Sequence, residues 1–594
     1  MASADPRDPS GPAERGGLTQ AESPYLRGEA FGGADSPFLH ELDEGESWSR
    51  LPASAAQRLF KIPERVRDAV GAACPAFLAA NPSEDYEQYI AAPTTGRMTP
   101  FINGRSWGGV AARKNQVEAF NAMQAAVEGL KAKESLLIAA WHFDPSLPLT
   151  RTNAAGKNAL GNKTWGELVQ RKARDGVKVR IIMTDFDPVA VNLHSILYQT
   201  FLPAIDKLVA GLGSKADNLK YIVSRHPAVH TKVITAKIHL DFHVGSHHQK
   251  FMVLRTGKGT VAFCGGLDIA YMRTPARWGE LKKSDYRWLW HDIHSRLEGL
   301  IARDLEREFV LRWNREKDQS VVTAQSGWGA METLSQAAAS TIDKASDRNK
   351  QQLQMWRTVS VAGTPICTTR RDDIWQGYLR LIGCASRLLY MENQYFREPL
   401  MADAIVKQAV AQPDLLVIVI VPSETDDLPD MVKKHGDSLQ HEFFTRLING
   451  VPDTRLRVYS MFHRIIHSKF IMADDRLLSI GSANANPRGF QLDAELNVTL
   501  DNPTAAASFR HRLWAHNLGL AETKVAAWGQ SDFIPRWDAV AAANEAARAN
   551  PTKMTGEAII KFDPLKEKGS RQTNIHDVET EAVSLEVISV LRNT

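Results

Sequence analysis

One succession of patterns occurs twice in this chain, and few architectures accommodate it. In the first occurrence Val117 to Leu130 carries apolar residues at helical spacing and Leu136 to Asp144 reads as a buried strand. A helix-like stretch, Trp165 to Arg174, and a second strand, Val177 to Asp185, follow. In the second occurrence Ile374 to Cys384 reads as helix, Arg387 to Phe396 as strand, Met401 to Val410 as helix and Leu415 to Pro422 as strand. Each series is followed by the pattern H-x-K: His248-Gln249-Lys250 in one, His467-Ser468-Lys469 in the other. This is an internal duplication of roughly 200 residues per copy. Strands alternating with helices predict βαβ crossovers and a mostly parallel sheet in each half. The expected organisation is a disordered tail over 1–50, a helical or irregular segment over 51–109 and a first α/β half over 110–316. A connecting segment over 317–354 leads to a second half over 355–528, and a C-terminal helix and tail over 529–594. The last holds an Ala-rich helix, Trp537 to Ala549, and a polar end with no visible chemistry.

Around the second H-x-K the pattern is sharper: H-x-K-x4-D-x6-G-S-x-N, with Asp474, Gly481, Ser482 and Asn484. Ile465-Ile466 with Phe470 to Met472, and Leu477 to Ile480, read as two apolar strands joined as a hairpin by Ala473 to Arg476. Side chains alternate along a strand, so His467 and Lys469 are expected on one face. An imidazole beside an ammonium is a poor core pair, because charge is costly to bury. The pair suits a phosphodiester. Cations and N–H donors neutralise its oxygens, an acid protonates its departing alkoxide, and a nucleophile forms the covalent intermediate of a two-step route. Two imidazoles, one neutral and one protonated, meet the last two needs. One H-x-K half cannot supply both, whereas two halves meeting face to face can.

Composition bounds the alternatives. The 594 residues are 43% hydrophobic and 24% charged, with 72 basic against 68 acidic residues and a net charge of +4. That balance argues against a nucleic-acid groove without excluding a local anion site. Cys74, Cys264, Cys367 and Cys384 form no C-x-x-C pair and read as free thiols of a reducing compartment. No run of about 18 apolar residues is present, so no membrane span is expected. The stretch Met1 to Gly17 lacks the apolar region of a general secretory signal. Within the tail, Ser23-Pro24-Tyr25-Leu26 and Ser36-Pro37-Phe38-Leu39 form a near-repeat, read either as chance in a biased tail or as a linear motif for a partner or an export machine.

The quoted stretches resemble the phospholipase D superfamily, and its eukaryotic-type branch in particular. They are His247 to Phe251, Phe263 to Ile269, Trp290 to Gly299 and Arg312 to Asn314, then Met391 to Phe396, His467 to Asn484 and Asp493 to Glu495. The resemblance covers about 110 to 520. It implies two pseudo-symmetric α/β/α sandwich halves with the active site at their interface, and a hydrolase that degrades lipid. Such an enzyme converts glycerophospholipids to phosphatidate and free headgroup through a phosphohistidine, and can also transfer the phosphatidyl group. His248 is the favoured nucleophile and His467 the acid/base. Lys250, Lys469 and Asn484 would bind phosphate, with Ser482 close by. Asp474 belongs to the motif and is grouped with these residues, although in the family it generally supports local structure. In the first copy Gly266 and Asp268 stand where the second has Ser482 and Asn484. Asp292 and Glu495 are expected to orient the imidazoles, across the interface or within their own halves. One departure stands out: Arg255 occupies the motif's Asp position in the first copy.

The expected partner is a phospholipid membrane surface, not nucleic acid, and the expected state is a monomer. No cofactor or metal is expected, with calcium stimulation left open. A secreted, toxin-like effector that leaves the producer's cytoplasm by a specialised route would add a secretion-machine or immunity-protein partner at the N-terminal tail. The enzyme alternatives are a cardiolipin-synthase-like transferase and a nuclease; the non-enzymatic one is a catalytically dead lipid-binding module.

Several polar groups have plainer readings. His239, Asp241 and His243 alternate and, with His247 and His248, read as a polar rim of the active site in preference to a metal site. Asp185 and Asp187 read as turn caps in preference to calcium ligands. Arg370-Arg371 and Lys433-Lys434-His435 read as solvated surface. His142 and Asn393-Gln394 end equivalent strands, where ligands bind in such sheets.

Overall fold

The computed structural model describes residues 94–104, 118–150, 157–185, 197–226, 229–235, 238–243, 245–270, 289–317, 322–326, 331–336, 340, 343, 351–359, 371–422, 430–462 and 464–565. The tail with its Ser-Pro near-repeat, Asp187 and Arg370 lie outside them.

The first copy begins with β1 (Thr94–Ile102), α1 (Ala119–Glu128), β2 (Ser135–Ala139), α2 (Trp165–Arg174), β3 (Lys178–Thr184), α3 (Leu202–Ala210) and β4 (Leu219–Ser224). Strands β5 (Val229–Thr235) and β6 (Ile238–His243) pair in a small sheet of their own. Hairpin strands β7 (Phe251–Thr256) and β8 (Gly259–Gly265) follow, then β9 (Leu289–His291), β10 (Ile293–Gly299) and α4 (Leu300–Glu316). Strand β11 (Val322–Gln325) leads to β12 (Gln351–Val359), β13 (Arg371–Asp372), α5 (Asp373–Cys384), β14 (Leu388–Asn393), α6 (Pro399–Ala411) and β15 (Leu416–Ile420). Next come α7 (Asp430–Gly450), β16 (Leu456–Met461), β17 (Arg464–Ile466), β18 (Lys469–Ala473), β19 (Leu477–Gly481), α8 (Pro487–Gln491) and β20 (Glu495–Asp501). The described residues close with α9 (Pro503–Leu518), α10 (Glu522–Ala526), α11 (Gln530–Ala546) and β21 (Ile559–Lys561).

The pairings form one continuous mixed sheet, in spatial order β11-β4-β3-β2-β7-β8-β10-β1-β12-β20-β19-β18-β14-β15-β16-β21. Read from either end the halves repeat, and the pseudo-twofold lies between β1 and β12, which pair antiparallel. Strict alternation explains the layering. Leu137 and Ala139 of β2, like Leu388 and Tyr390 of β14, join the central core with α4 and α9. Leu136 and Ile138 face the outer layer of α1 and α2, and Leu389 and Met391 the outer layer of α5 and α6. Each half is thus a helix–sheet–helix sandwich.

The structure corrects four expectations. The sheet is not mostly parallel: among the described strands the parallel pairs are those of β2-β3-β4 and β14-β15-β16, where helices supply crossovers, and the short β9–β17 pair. The other neighbours in this sheet pair antiparallel, as hairpins at β7–β8 and β18–β19 and as long-range pairs such as β1–β10 and β12–β20. Residues 94–102, expected helical or irregular, form the strand that joins the halves. The tail expected to hold only a helix adds β21 to the sheet edge beside β16. Cys384 is disulfide-bonded, so the reading of four free thiols fails; Cys264 is a buried free thiol.

Candidate active site

The apolar run through the second H-x-K does not form one strand. β17 ends at Ile466 and pairs parallel with β9, while β18 begins at Lys469 and pairs with β14 and β19. The break falls on His467 and Ser468. There the His467 backbone N–H donates to the His291 carbonyl at 2.7 Å. The first H-x-K has the same arrangement, with the His248 N–H donating to the Ala494 carbonyl at 2.9 Å.

Those carbonyls immediately precede the two carboxylates that hold the imidazoles. His467 Nδ1 lies 2.8 Å from Asp292 Oδ2, and His248 Nδ1 lies 2.7 Å from Glu495 Oε1. A carboxylate only accepts, so each Nδ1 carries the proton and the chemistry falls to Nε2. Both clamps cross between the halves, deciding between the two arrangements left open by the sequence. They sit at the starts of β10 and β20, where β8 and β10 pack against β19 and β20. All four side chains are buried.

The lysines repeat the symmetry. Lys250 Nζ donates to the His248 carbonyl at 2.9 Å and Lys469 Nζ to the His467 carbonyl at 2.7 Å. Beyond that they differ. Lys469 also donates to Gln394 Oε1 at 2.8 Å, whereas Lys250 lies 5.4 Å from the Trp141 ring centre and 3.6 Å from Asp268 Oδ2. Trp141 and Gln394 hold equivalent register positions just past the paired parts of β2 and β14, two residues beyond Ala139 and one beyond Asn393. Asp268 also accepts from the Trp141 backbone N–H at 2.9 Å. Asn393 accepts from the backbone N–H groups of Tyr395 and Ala485. Asn484 is buried with Oδ1 unpartnered.

The Gly266/Ser482 asymmetry has a steric cause. A Cβ at Gly266 would lie 2.0 Å from Asp292 Oδ1. In the other half Ser482 donates its hydroxyl to Glu495 Oε2, so Glu495 bridges Ser482 and His248.

Asp474 lies outside this constellation. At φ +53 on the hairpin turn, it accepts from the Ser386, Arg387 and Leu388 backbone N–H groups and the Ser386 hydroxyl, all at 2.7–2.8 Å. It therefore ties the hairpin to the entry of β14. Its counterpart Arg255 pairs with Glu306 at 2.5 Å and donates to the Ser335 carbonyl. The first hairpin is tied from the opposite side: Glu134, entering β2, accepts from the Lys131 and Gly257 N–H groups at 2.7 Å.

Other polar residues take supporting places. His247 is a core histidine, not a rim: it donates to the Arg225 carbonyl, and burial holds its pKa well below the ordinary value. The side chains of His239, Asp241 and His243 lie outside the described set, as do those of Lys433, Lys434 and His435. Asp185 is an ion-pair partner of Arg225 at 3.0 Å, with Tyr198 also donating to it. Sequence reading missed Glu392 and Glu308. Glu392 Oε2 accepts from Ser468 Oγ at 3.2 Å and His291 Nε2 at 2.7 Å. Glu308 accepts from Gln249 and from Arg357 of the other half. The middle residue of each H-x-K is thus held by a buried carboxylate. The available signal was an acid inside an apolar strand, Leu388 to Asn393. His291, His516 and Glu557 have donor atoms within 4.8 Å of one another, a spacing a metal could share, and Glu557 is already paired with Arg464 at 3.0 Å and His516 at 2.6 Å.

Comparison with known proteins fits this geometry. The family model described as phospholipase D matches residues 129–277 and 275–402, and that described as cardiolipin synthase, PLD-like domain, matches 378–516. The chain belongs to the phospholipase D superfamily. Phospholipase D A of Dictyostelium discoideum is 25% identical over 503 residues, covering 68% of this chain and 35% of that protein. Cardiolipin synthase 2 of Staphylococcus epidermidis is 24% identical over 362 residues, covering 59% of each. The chain thus spans between a third and three fifths of these relatives' lengths. Among solved structures, the phosphatidylserine synthase of Haemophilus influenzae aligns with a TM-score of 0.46 at 11% identity, over 89% of this chain and 98% of that one.

Proposed function

We propose that this superfamily member is a phospholipase D that hydrolyses glycerophospholipids to phosphatidate and free headgroup. The observation that carries the proposal is the pair of imidazole–carboxylate clamps, each built from both halves. In this reading the His248 Nε2 lone pair attacks phosphorus, the P–O bond to the headgroup breaks, and His467 Nε2–H protonates the leaving oxygen. Water then attacks the phosphohistidine, His467 takes its proton, and the N–P bond breaks with its electrons returning to His248. Glu495 and Asp292 fix the tautomers and stabilise each imidazolium. Lys250, Lys469 and Asn484 neutralise the non-bridging oxygens.

A second reading, phosphatidyl transfer as in a cardiolipin synthase, is favoured by the match over 378–516 and by the staphylococcal relative. It changes the acceptor from water to an alcohol and keeps every residue role. No helix among the described residues is long and apolar enough to cross a membrane. The disulfide at Cys384 supports passage through an oxidising compartment, as for an exported effector.

The test is a product assay on vesicles of mixed phosphatidylcholine, phosphatidylethanolamine and phosphatidylglycerol, with and without ethanol. Headgroup release with phosphatidate, diverted to phosphatidylethanol by ethanol, is expected. Cardiolipin and glycerol as main products would favour the transferase. Cleavage of plasmid DNA with untouched vesicles would overturn both, as would full turnover in His467→Ala.

A further inference from the structure

We infer that His291 and Glu392 are positioning residues for His467, an ion pair spanning the two halves that aligns the general acid with the leaving oxygen. This rests on the phospholipase D reading above.

Glu392 Oε2 receives both His291 Nε2 and Ser468 Oγ. One buried oxygen therefore ties the residue before Asp292 to the residue after His467. The His291 carbonyl also takes the His467 N–H. The acid and its orienting carboxylate are thus linked three times: ring to Asp292, backbone to His291, and Ser468 to Glu392. A rotation of either half against the other must break this linkage before His467 can turn.

The remaining surroundings are built to keep the pair charged. Glu392 Oε1 accepts from the Tyr390 hydroxyl and from Asn517 Nδ2 at 2.8 Å. Around His291 stand Glu392 from β14, the adjoining Asp292, Glu557 from the segment before β21, and His516 of α9, whose ring centre is 6.3 Å away. Glu557 is in turn held by Arg464 of β17. Burial opposes charge on His291, yet Glu392, with Glu557 and Asp292 behind it, holds its pKa above the ordinary value. Burial likewise opposes ionisation of Glu392, and His291, with the Tyr390 hydroxyl and Asn517, holds its pKa below the ordinary value.

The other half lacks this pair. Ala494 stands before Glu495 where His291 stands before Asp292, and Gln249, not a hydroxyl, meets the carboxylate of Glu308. The additional restraint falls on the histidine assigned to proton transfer.

A leaving-group comparison tests this. Choline departs only with a proton, whereas p-nitrophenol departs as the anion at neutral pH, so misalignment of the acid affects the first and spares the second. Single-turnover release is measured for phosphatidylcholine and phosphatidyl-p-nitrophenol in wild type, Glu392→Gln and His291→Gln. The double variant removes both charges together and serves where a single change impairs folding. The expected loss is about 100-fold for choline and under about threefold for p-nitrophenol. Double-variant losses should match the single ones and not multiply. Equal losses on both substrates, or no loss on either, overturn the positioning role. A wild-type enzyme inactive on both substrates would instead overturn the phospholipase D reading.

Discussion

Gly266→Ala tests whether steric room at one residue governs the acid on the other half. The new Cβ would meet Asp292 Oδ1 at 2.0 Å and Cγ and Oδ2 at 2.7 Å. Ordinary contacts demand more than 3 Å, so the carboxylate must move by roughly 1 Å, a displacement that can cost about 100-fold in rate. Its Oδ1 also accepts the Ile293 N–H at 2.8 Å, and the Asp292 N–H is held by Asn103 Oδ1 at 3.0 Å, so the backbone cannot follow freely. The 2.8 Å bond to His467 is the one that yields. Loss of an orienting carboxylate lowers turnover by about 10²–10⁴, or about 3–5 kcal/mol of transition-state stabilisation. Overpacking should cost about 1–3 kcal/mol of stability, leaving a folded protein. The assay is choline release at saturating vesicle concentration beside a thermal melt. Asp292→Asn alone and the double variant complete a cycle. The double variant is expected to match Asp292→Asn, because both changes disable one bond. Wild-type turnover in a folded Gly266→Ala protein, or multiplicative losses in the double variant, would refute the reasoning.

Asp474→Ala removes the acceptor for three backbone N–H groups and places Ala at positive φ. A denaturant melt should show a loss of about 2–4 kcal/mol, with turnover per folded molecule unchanged. Glu134→Ala, which unties the first hairpin, should cost about 1–2 kcal/mol by the same measurement, again without a turnover effect. Acid should destabilise the fold below about pH 6.5. Burial pushes His294 down to about 3 and holds His226 and His247 well below the ordinary value. The unfolded chain therefore binds protons that the native state refuses. Stability from these three histidines is complete above their unfolded pKa and falls with pH, by up to about 4 kcal/mol per pH unit together. Melts between pH 7 and 4 check this, and a flat profile across that range would contradict it.

The sequence exposes what is local and hides what spans the interface. The hairpin at 469–481 is legible because alternation and turn residues are short-range signals, and the two H-x-K patterns because few cores tolerate that pair. The break at His467 is not legible, since Ile465-Ile466 and Phe470 to Met472 read as one apolar run. What interrupts it is a bond from β9, which lies far earlier in the chain. The carboxylate pairing is hidden for the same reason, its partners lying 175 and 247 residues apart. Arg255 shows the limit most clearly. Viewed alone, it is a damaged motif. Viewed with Glu134, it is an exchange, because the carboxylate that closes a hairpin can stand on either of the two strands it joins. In the second half Asp474 reaches from the hairpin to the N–H groups entering β14; in the first, Glu134 reaches from the entry of β2 to Gly257 of the hairpin turn. Loss of the motif's Asp is therefore compensated locally, and the clamps on His248 and His467, which depend on β9, β10 and β20, are built without it.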